Sequence, residues 1–200
     1  MKRIPIILIY SRLLLGLIVI GLSLLHVKHY PIMAFGILTL GLLTDVFDGI
    51  IARKLNISSQ KLRRLDSTID QIFFISIAIA AYFQCPEFFS ANSAKLIILL
   101  SFEAITYVIC FMKFKKEIAT HSIGAKVWTL FLFATLVQLI FQCQSVLLFN
   151  LCFWIGLLTR LEIAAIIFTL KTWTNDVPTF YHAIQLRKGK EIKRNKLFNG

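Results

Sequence analysis

Apolar residues in this chain come in long, nearly unbroken runs, and polar residues gather in the gaps between them. A run of about 20 apolar residues is what a helix needs to cross a bilayer. The runs lack strict alternation, so they read as helices that satisfy their own backbone in lipid rather than as barrel strands. The pattern predicts six spans: Ile4–Leu25, Pro31–Arg53, Leu65–Phe83, Ala94–Phe114, Ile123–Phe141 and Val146–Leu170. The expected fold class is all-α integral membrane, with six transmembrane helices in a single bundle over residues 1–171. Residues 172–200 form a basic cytoplasmic tail, either lying near the anionic leaflet or solvated.

Composition agrees, since 58% hydrophobic residues is too apolar for a soluble domain. The net charge of +12 is unevenly spread. Lys2, Arg3, Arg53, Lys54, Lys61, Arg63, Arg64, Lys113, Lys115, Lys116, Lys126, Lys171 and the basic tail all fall on one side of an even number of spans. The other side is left with Lys28 and Lys95. By the positive-inside rule both termini are cytoplasmic, in a multi-pass protein of the cell inner or plasma membrane. The charge therefore reads as an orientation signal, and no nucleic-acid partner is expected. The opening MKRIPIILIYSRLLLGLIVIGLSLL imitates a signal peptide, but its apolar part is too long and no small-residue cleavage site follows. It is expected to stay as the first span. Cys85, Cys110, Cys143 and Cys152 lie mostly in apolar runs without metal-ligand spacing, and all four are expected to be lipid- or core-facing hydrophobes.

Candidate chemistry gathers between Asp45 and Asp70. Asp45 and Asp48 are three apart, Asp66 and Asp70 four apart, so each pair shares a helix face. Acids at membrane depth are costly, and an intramembrane carboxylate points to function. A twelve-residue basic loop would make the second and third spans antiparallel neighbours, with the two pairs facing each other. Four convergent carboxylates do not all stay ionised in a low-dielectric pocket without cations. An all-oxygen set without His or Cys favours a hard ion, Mg²⁺ or Mn²⁺. The bland alternative, helix capping or a loop lysine, suits Asp66 better than Asp45, which lies well inside its span. Gly49 and Ala52 leave a small-residue surface beside Asp48. Arg53 is either a bidentate phosphate partner or an interfacial arginine. Together these features suggest a diphosphate substrate and displacement at phosphorus.

The same stretch resembles the CDP-alcohol phosphatidyltransferase family, whose signature is D-x-x-D-G-x-x-A-R, eight residues, G, three residues, D, three residues, D. Asp45, Asp48, Gly49, Ala52, Arg53, Asp66 and Asp70 stand at matching positions, and Leu62 replaces the middle glycine. The resemblance implies six transmembrane helices, a homodimer, and two Mg²⁺ or Mn²⁺ ions on Asp45, Asp48, Asp66 and Asp70. It implies that Asp70 is also the catalytic base, that Gly49 and Ala52 make room for the cytidine nucleotide, and that Arg53 contacts phosphate. The expected reaction moves a phosphatidyl group from CDP-diacylglycerol to a small alcohol in membrane lipid synthesis, releasing CMP. Pro5 and Arg12 resemble the opening of phosphatidylglycerophosphate synthases, with Ile6 and Ile9 in place of polar residues. Ala125-Lys126-Val127-Trp128-Thr129 resembles their GKxKT segment, with Trp128 where a second lysine would help hold an acceptor phosphate. Arg12 and Lys126 are thus the acceptor-binding candidates, and glycerol 3-phosphate ranks ahead of inositol phosphate and serine.

Each of those two cations has a plainer reading, as a snorkelling arginine and a positive-inside anchor. Glu103 in the fourth span and Arg160 and Glu162 in the sixth are further intramembrane charges; Glu103 and Arg160 are expected to pair, the alternative being a second polar pocket that contacts the acceptor or the dimer partner. His26, His29, His121 and His182 are expected at interfaces or in solvent. A metal-ion carrier and a catalytically silent scaffold are the alternatives from other classes. A carrier needs polar groups across the membrane, and a scaffold has no use for four acids.

Overall fold

The computed structural model describes residues 4–55, 60–116, 118, 122–190 and 192, with the side chains of residues 53, 60, 61 and 63 outside that description. The elements are α1 (Ile4–Leu24), α2 (Tyr30–Lys54), α3 (Gln60–Gln84), α4 (Pro86–Ala91), α5 (Ser93–Phe114), α6 (Ile123–Gln142), α7 (Leu147–Thr169) and α8 (Phe180–Arg187). Six of them, α1, α2, α3, α5, α6 and α7, are long and apolar enough to cross a membrane. The described residues contain no strand. The chain is a multi-pass membrane protein, as the runs of apolar residues predict.

Two compact units can be told apart: Met1–Ser90 with Leu136–Ser145, and Ala91–Thr135 with Val146–Gly200. In the first, α1 packs extensively against both α2 and α3, while α2 and α3 touch each other much less. The second and third spans are neighbours that bring their aspartates together, as expected, while α1 supplies most of the contact to each. Its buried positions, Pro5, Ile9, Arg12, Gly16, Val19 and Ser23, recur every three or four residues and form one stripe. Against that stripe, a Cβ on Gly16 would lie 2.9 Å from Ser76 Oγ. Ser23 Oγ donates to Ala80 O at 2.8 Å, and Gln84 Nε2 donates to Ser23 O at 2.9 Å. Partners that climb α3 as residues climb α1 make those helices parallel. Gly41 of α2 leaves room for the Phe73 ring, which no Cβ there would allow.

The basic loop is also shorter than expected. α2 continues to Lys54 and α3 begins at Gln60, so Lys61, Arg63 and Arg64 belong to helix rather than to a connection. These are good helix formers, and nothing stops a helix from extending past the bilayer edge. Residues 56–59 lie outside the described residues.

At the far end of the same unit, Cys85 and Cys143 form a disulfide with Cα atoms 5.2 Å apart. This corrects the reading of all four cysteines as plain hydrophobes. Each of these two is the first residue past a span, Cys85 after α3 and Cys143 after α6, where Cys143 ends its helix in a left-handed turn with φ of 52°. Cys110 and Cys152 are buried free thiols, as expected.

In the second unit α5 packs on α7, with Cys110, Ile163 and Ile167 in one buried cluster. Lys113 Nζ donates to the Ile167 and Phe168 carbonyls, both at 2.9 Å, neutralising the open C-terminus of α7. The chain past Lys171 is not all solvated tail. Val177 and Ala183 are buried against Ile166 and Leu170, and Phe180 N donates to Glu162 Oε1 at 3.3 Å, seating α8 on α7. Residues 193–200 of the expected tail, Lys2, Arg3 and His121 lie outside the described residues.

Candidate active site

The carboxylates come from the last turns of α2 and the first turns of α3, and a cation between them comes from α1. Asp45 and Asp48 share a face of α2 by their spacing of three, and Asp66 and Asp70 share a face of α3 by their spacing of four. Arg12 is on the buried stripe of α1 and is itself completely buried. Its Nη1 donates to Asp45 Oδ1 at 3.1 Å and pairs with Asp70 Oδ1. Its Nη2 donates to Asp48 Oδ2 and to Asp66 Oδ1, each at 2.5 Å. One guanidinium therefore touches all four aspartates. Its Nε is buried with no hydrogen-bond partner.

Exposure is graded across the cluster. Asp48 is at the floor with 3% of its side chain exposed, whereas Asp45, Asp66 and Asp70 are 40%, 29% and 27% exposed. The site is a recess with one closed and one open side, not a sealed core network. Oxygens of Asp45, Asp48 and Asp66 all lie within 4.8 Å of one another. Four ionised carboxylates against one guanidinium leave a formal excess of three negative charges. A low-dielectric recess does not tolerate that excess without further positive charge. The donors are all oxygen, which fits a hard divalent cation and not a soft one. On the chemistry of its donors, then, the site fits Mg²⁺ or Mn²⁺.

The other sequence candidates are placed as follows. Gly49 is half-buried beside Asp48, and Ala52 is buried one turn further along α2. The backbone of Arg53 is helical, and the phosphate contact expected of its side chain lies outside the described residues. Leu62 is half-buried on the first turn of α3, one turn before Asp66, so the position that departs from the signature is helical rather than a loop. Lys126 is exposed on the first turn of α6 and belongs to the second unit.

Sequence reasoning named Arg12 but did not see its partners. An arginine one-third of the way into an apolar span must find acids. Its spacing from Gly16 and Ser23 puts it on the same stripe as the only small and polar residues of α1's core face. That stripe was the signal available.

No curated protein and no solved structure matches the chain. A family model, CDP-alcohol phosphatidyltransferase, matches residues 2–174 and so takes in Arg12, all four aspartates and all six candidate spans. The chain belongs to the CDP-alcohol phosphatidyltransferase family.

Proposed function

We propose that this protein transfers the phosphatidyl group of CDP-diacylglycerol to a hydroxyl of glycerol 3-phosphate and releases CMP. The observation that carries this reading is the convergence of four carboxylates around one buried guanidinium at the end of two membrane spans. Asp45, Asp48, Asp66 and Asp70 would hold two Mg²⁺ or Mn²⁺ ions. When bound, these ions neutralise the diphosphate and the carboxylates and stabilise charge on the phosphorus oxygens. Asp70, partly exposed at the open side, takes the proton of the acceptor hydroxyl. The hydroxyl oxygen forms the new bond to the phosphatidyl phosphorus, and the bond from that phosphorus to the CMP oxygen breaks. Gly49 and Ala52 keep the α2 surface low beside the nucleotide, and Arg53 pairs with its phosphate. Lys126 offers an exposed positive charge to the anionic acceptor. Both terminal nitrogens of Arg12 are engaged by aspartates, so an acceptor contact through Arg12 requires it to leave them.

The reading takes residues 1–171 as the catalytic membrane domain, residues 172–200 as a cytoplasmic extension, and the working unit as a homodimer. It also puts the aspartates and both termini on the cytoplasmic side. Charge asymmetry supports that orientation. So does the disulfide, which joins the ends of α3 and α6 away from the aspartates, since disulfides persist in oxidising compartments. After reduction, a membrane-impermeant thiol reagent should label the exposed Cys143 only from the non-cytoplasmic side. Labelling from the cytoplasm would invert the topology.

The decisive assay is purified protein in lipid with CDP-diacylglycerol, Mg²⁺ or Mn²⁺ and a panel of alcohols. CMP release with glycerol 3-phosphate alone is expected. Release with inositol phosphate or serine instead reassigns the acceptor. No release with any alcohol from folded protein favours a carrier or a silent scaffold.

A further inference from the structure

The aspartate recess contains its own cation. Arg12 reaches it from a third helix, is completely buried, and spends both terminal nitrogens on the four carboxylates. The oxygens it uses, Asp45 Oδ1, Asp48 Oδ2, Asp66 Oδ1 and Asp70 Oδ1, include oxygens of all four groups that a divalent ion would draw on. A guanidinium and a divalent ion cannot share that recess without strong like-charge repulsion, because the low dielectric screens neither.

We infer that Arg12 is a positioning residue that competes with the divalent metal: it gathers the four carboxylates into one recess, and metal binding must draw them away from it. This deepens the metal reading under Proposed function and rests on it. Two features of the geometry support displacement over permanent pairing. The Nε of Arg12 is buried with no acceptor, so the side chain is incompletely satisfied where it is. Three of its four partners are partly exposed, which leaves an open side from which a cation can approach the carboxylates. The consequence for function is a coupling. Each metal ion bound loosens the hold on Arg12, and the released guanidinium, always charged, becomes available to a phosphate oxygen in the same recess. Metal affinity is then set below what four carboxylates alone would give, and site assembly does not depend on metal.

The test is equilibrium Mn²⁺ binding, read from the signal of free Mn²⁺, to protein in lipid nanodiscs, alongside thermal unfolding with and without Mn²⁺. Arg12→Met should bind Mn²⁺ more tightly than wild type, on the order of tenfold, within the ~5–150-fold span usual for coupling between two ligands. It should also unfold at lower temperature without metal and recover more of that loss on adding Mn²⁺ than wild type gains. Arg12→Lys keeps the charge but loses the fork that reaches four groups, so its Mn²⁺ affinity should lie between the two. A merely structural arginine would not raise metal affinity when removed. Unchanged or weaker Mn²⁺ binding by folded Arg12→Met or Arg12→Lys overturns the competition while leaving the metal site intact. No Mn²⁺ binding by wild type and variants alike overturns the metal reading itself, and the competition with it.

Discussion

Arg12 and Arg160 both lie well inside apolar spans, and they have opposite relations to their surroundings. In the second unit, Arg160 Nη2 donates to Glu103 Oε2 at 2.6 Å, and its guanidinium carbon lies 4.9 Å from the centre of the Trp128 ring. The indole is held in turn by its Nε1 donating to Cys152 O at 3.1 Å, across a helix where Gly156 leaves it room. One cation meets one anion and a ring face, so this pair carries no net formal charge. In the first unit, Arg12 meets four carboxylates, so these five groups together carry a formal charge of −3. Burial is similar: Arg160 is 11% exposed and Arg12 is 0% exposed. Burial of a charge within the protein therefore does not by itself separate structure from chemistry here. The uncompensated remainder does. A balanced pair lowers its own desolvation cost and asks for nothing more, whereas a surplus of carboxylates needs cations from outside.

The sharpest way to break this contrast is inside the surplus itself. Asp48→Asn removes the negative charge at the buried floor of the recess, and both Mn²⁺ binding and CMP release should be lost. Asp70→Asn should instead cost turnover by about 10²–10⁴-fold, the usual worth of a positioned base, while Mn²⁺ and nucleotide binding largely survive. Isotherms of Mn²⁺ beside CMP-release rates separate the two variants. Equal loss of binding in both would strip Asp70 of its separate role.

The balanced pair should behave differently. Arg160→Met removes this cation from a half-buried Glu103, so the loss of stability should fall below the roughly 3–5 kcal/mol of breaking a fully buried pair. Adding Glu103→Gln to Arg160→Met should recover most of that loss. Turnover per folded molecule should stay near wild type in the double variant. Unfolding in detergent and CMP release on the folded fraction check both halves, and a dead but stable double variant would move this pair into the catalytic machinery.

How much of this was legible before the structure follows the same division. Long apolar runs fixed the number and placement of the spans, because nothing competes with a 20-residue apolar stretch for the bilayer. Spacing within one helix put each aspartate pair on a face, since that depends only on helical period. What depended on a third helix was not legible. That α1 lies against both α2 and α3, and so delivers Arg12 to all four acids, is a packing outcome between segments, foreshadowed only by the Arg12, Gly16, Ser23 stripe. The Cys85–Cys143 disulfide joins residues 58 apart, and sequence does not say which helix ends meet. Trp128 stands where a phosphate-holding lysine was expected, and its ring instead covers Arg160.

The smallest expected effect tests whether the departure from the family signature matters. Leu62 is on the first turn of α3, half-buried and one turn before Asp66, so its side chain is partly packed on the turn that leads to that aspartate. Glycine there would remove this packing and loosen the helix by about 0.5–1 kcal/mol, the usual cost of glycine in a helix interior. Near the start of the helix the cost should be at the low end, because a terminal turn has fewer backbone bonds to lose. A glycine also opens space next to the recess, which favours a bulky nucleotide. Leu62→Gly should therefore lower the unfolding temperature slightly and leave CMP release unchanged or raised. A collapse of turnover with normal Mn²⁺ binding would mean that leucine has become part of how this chain positions its nucleotide, and that the excess of carboxylates alone does not define the site.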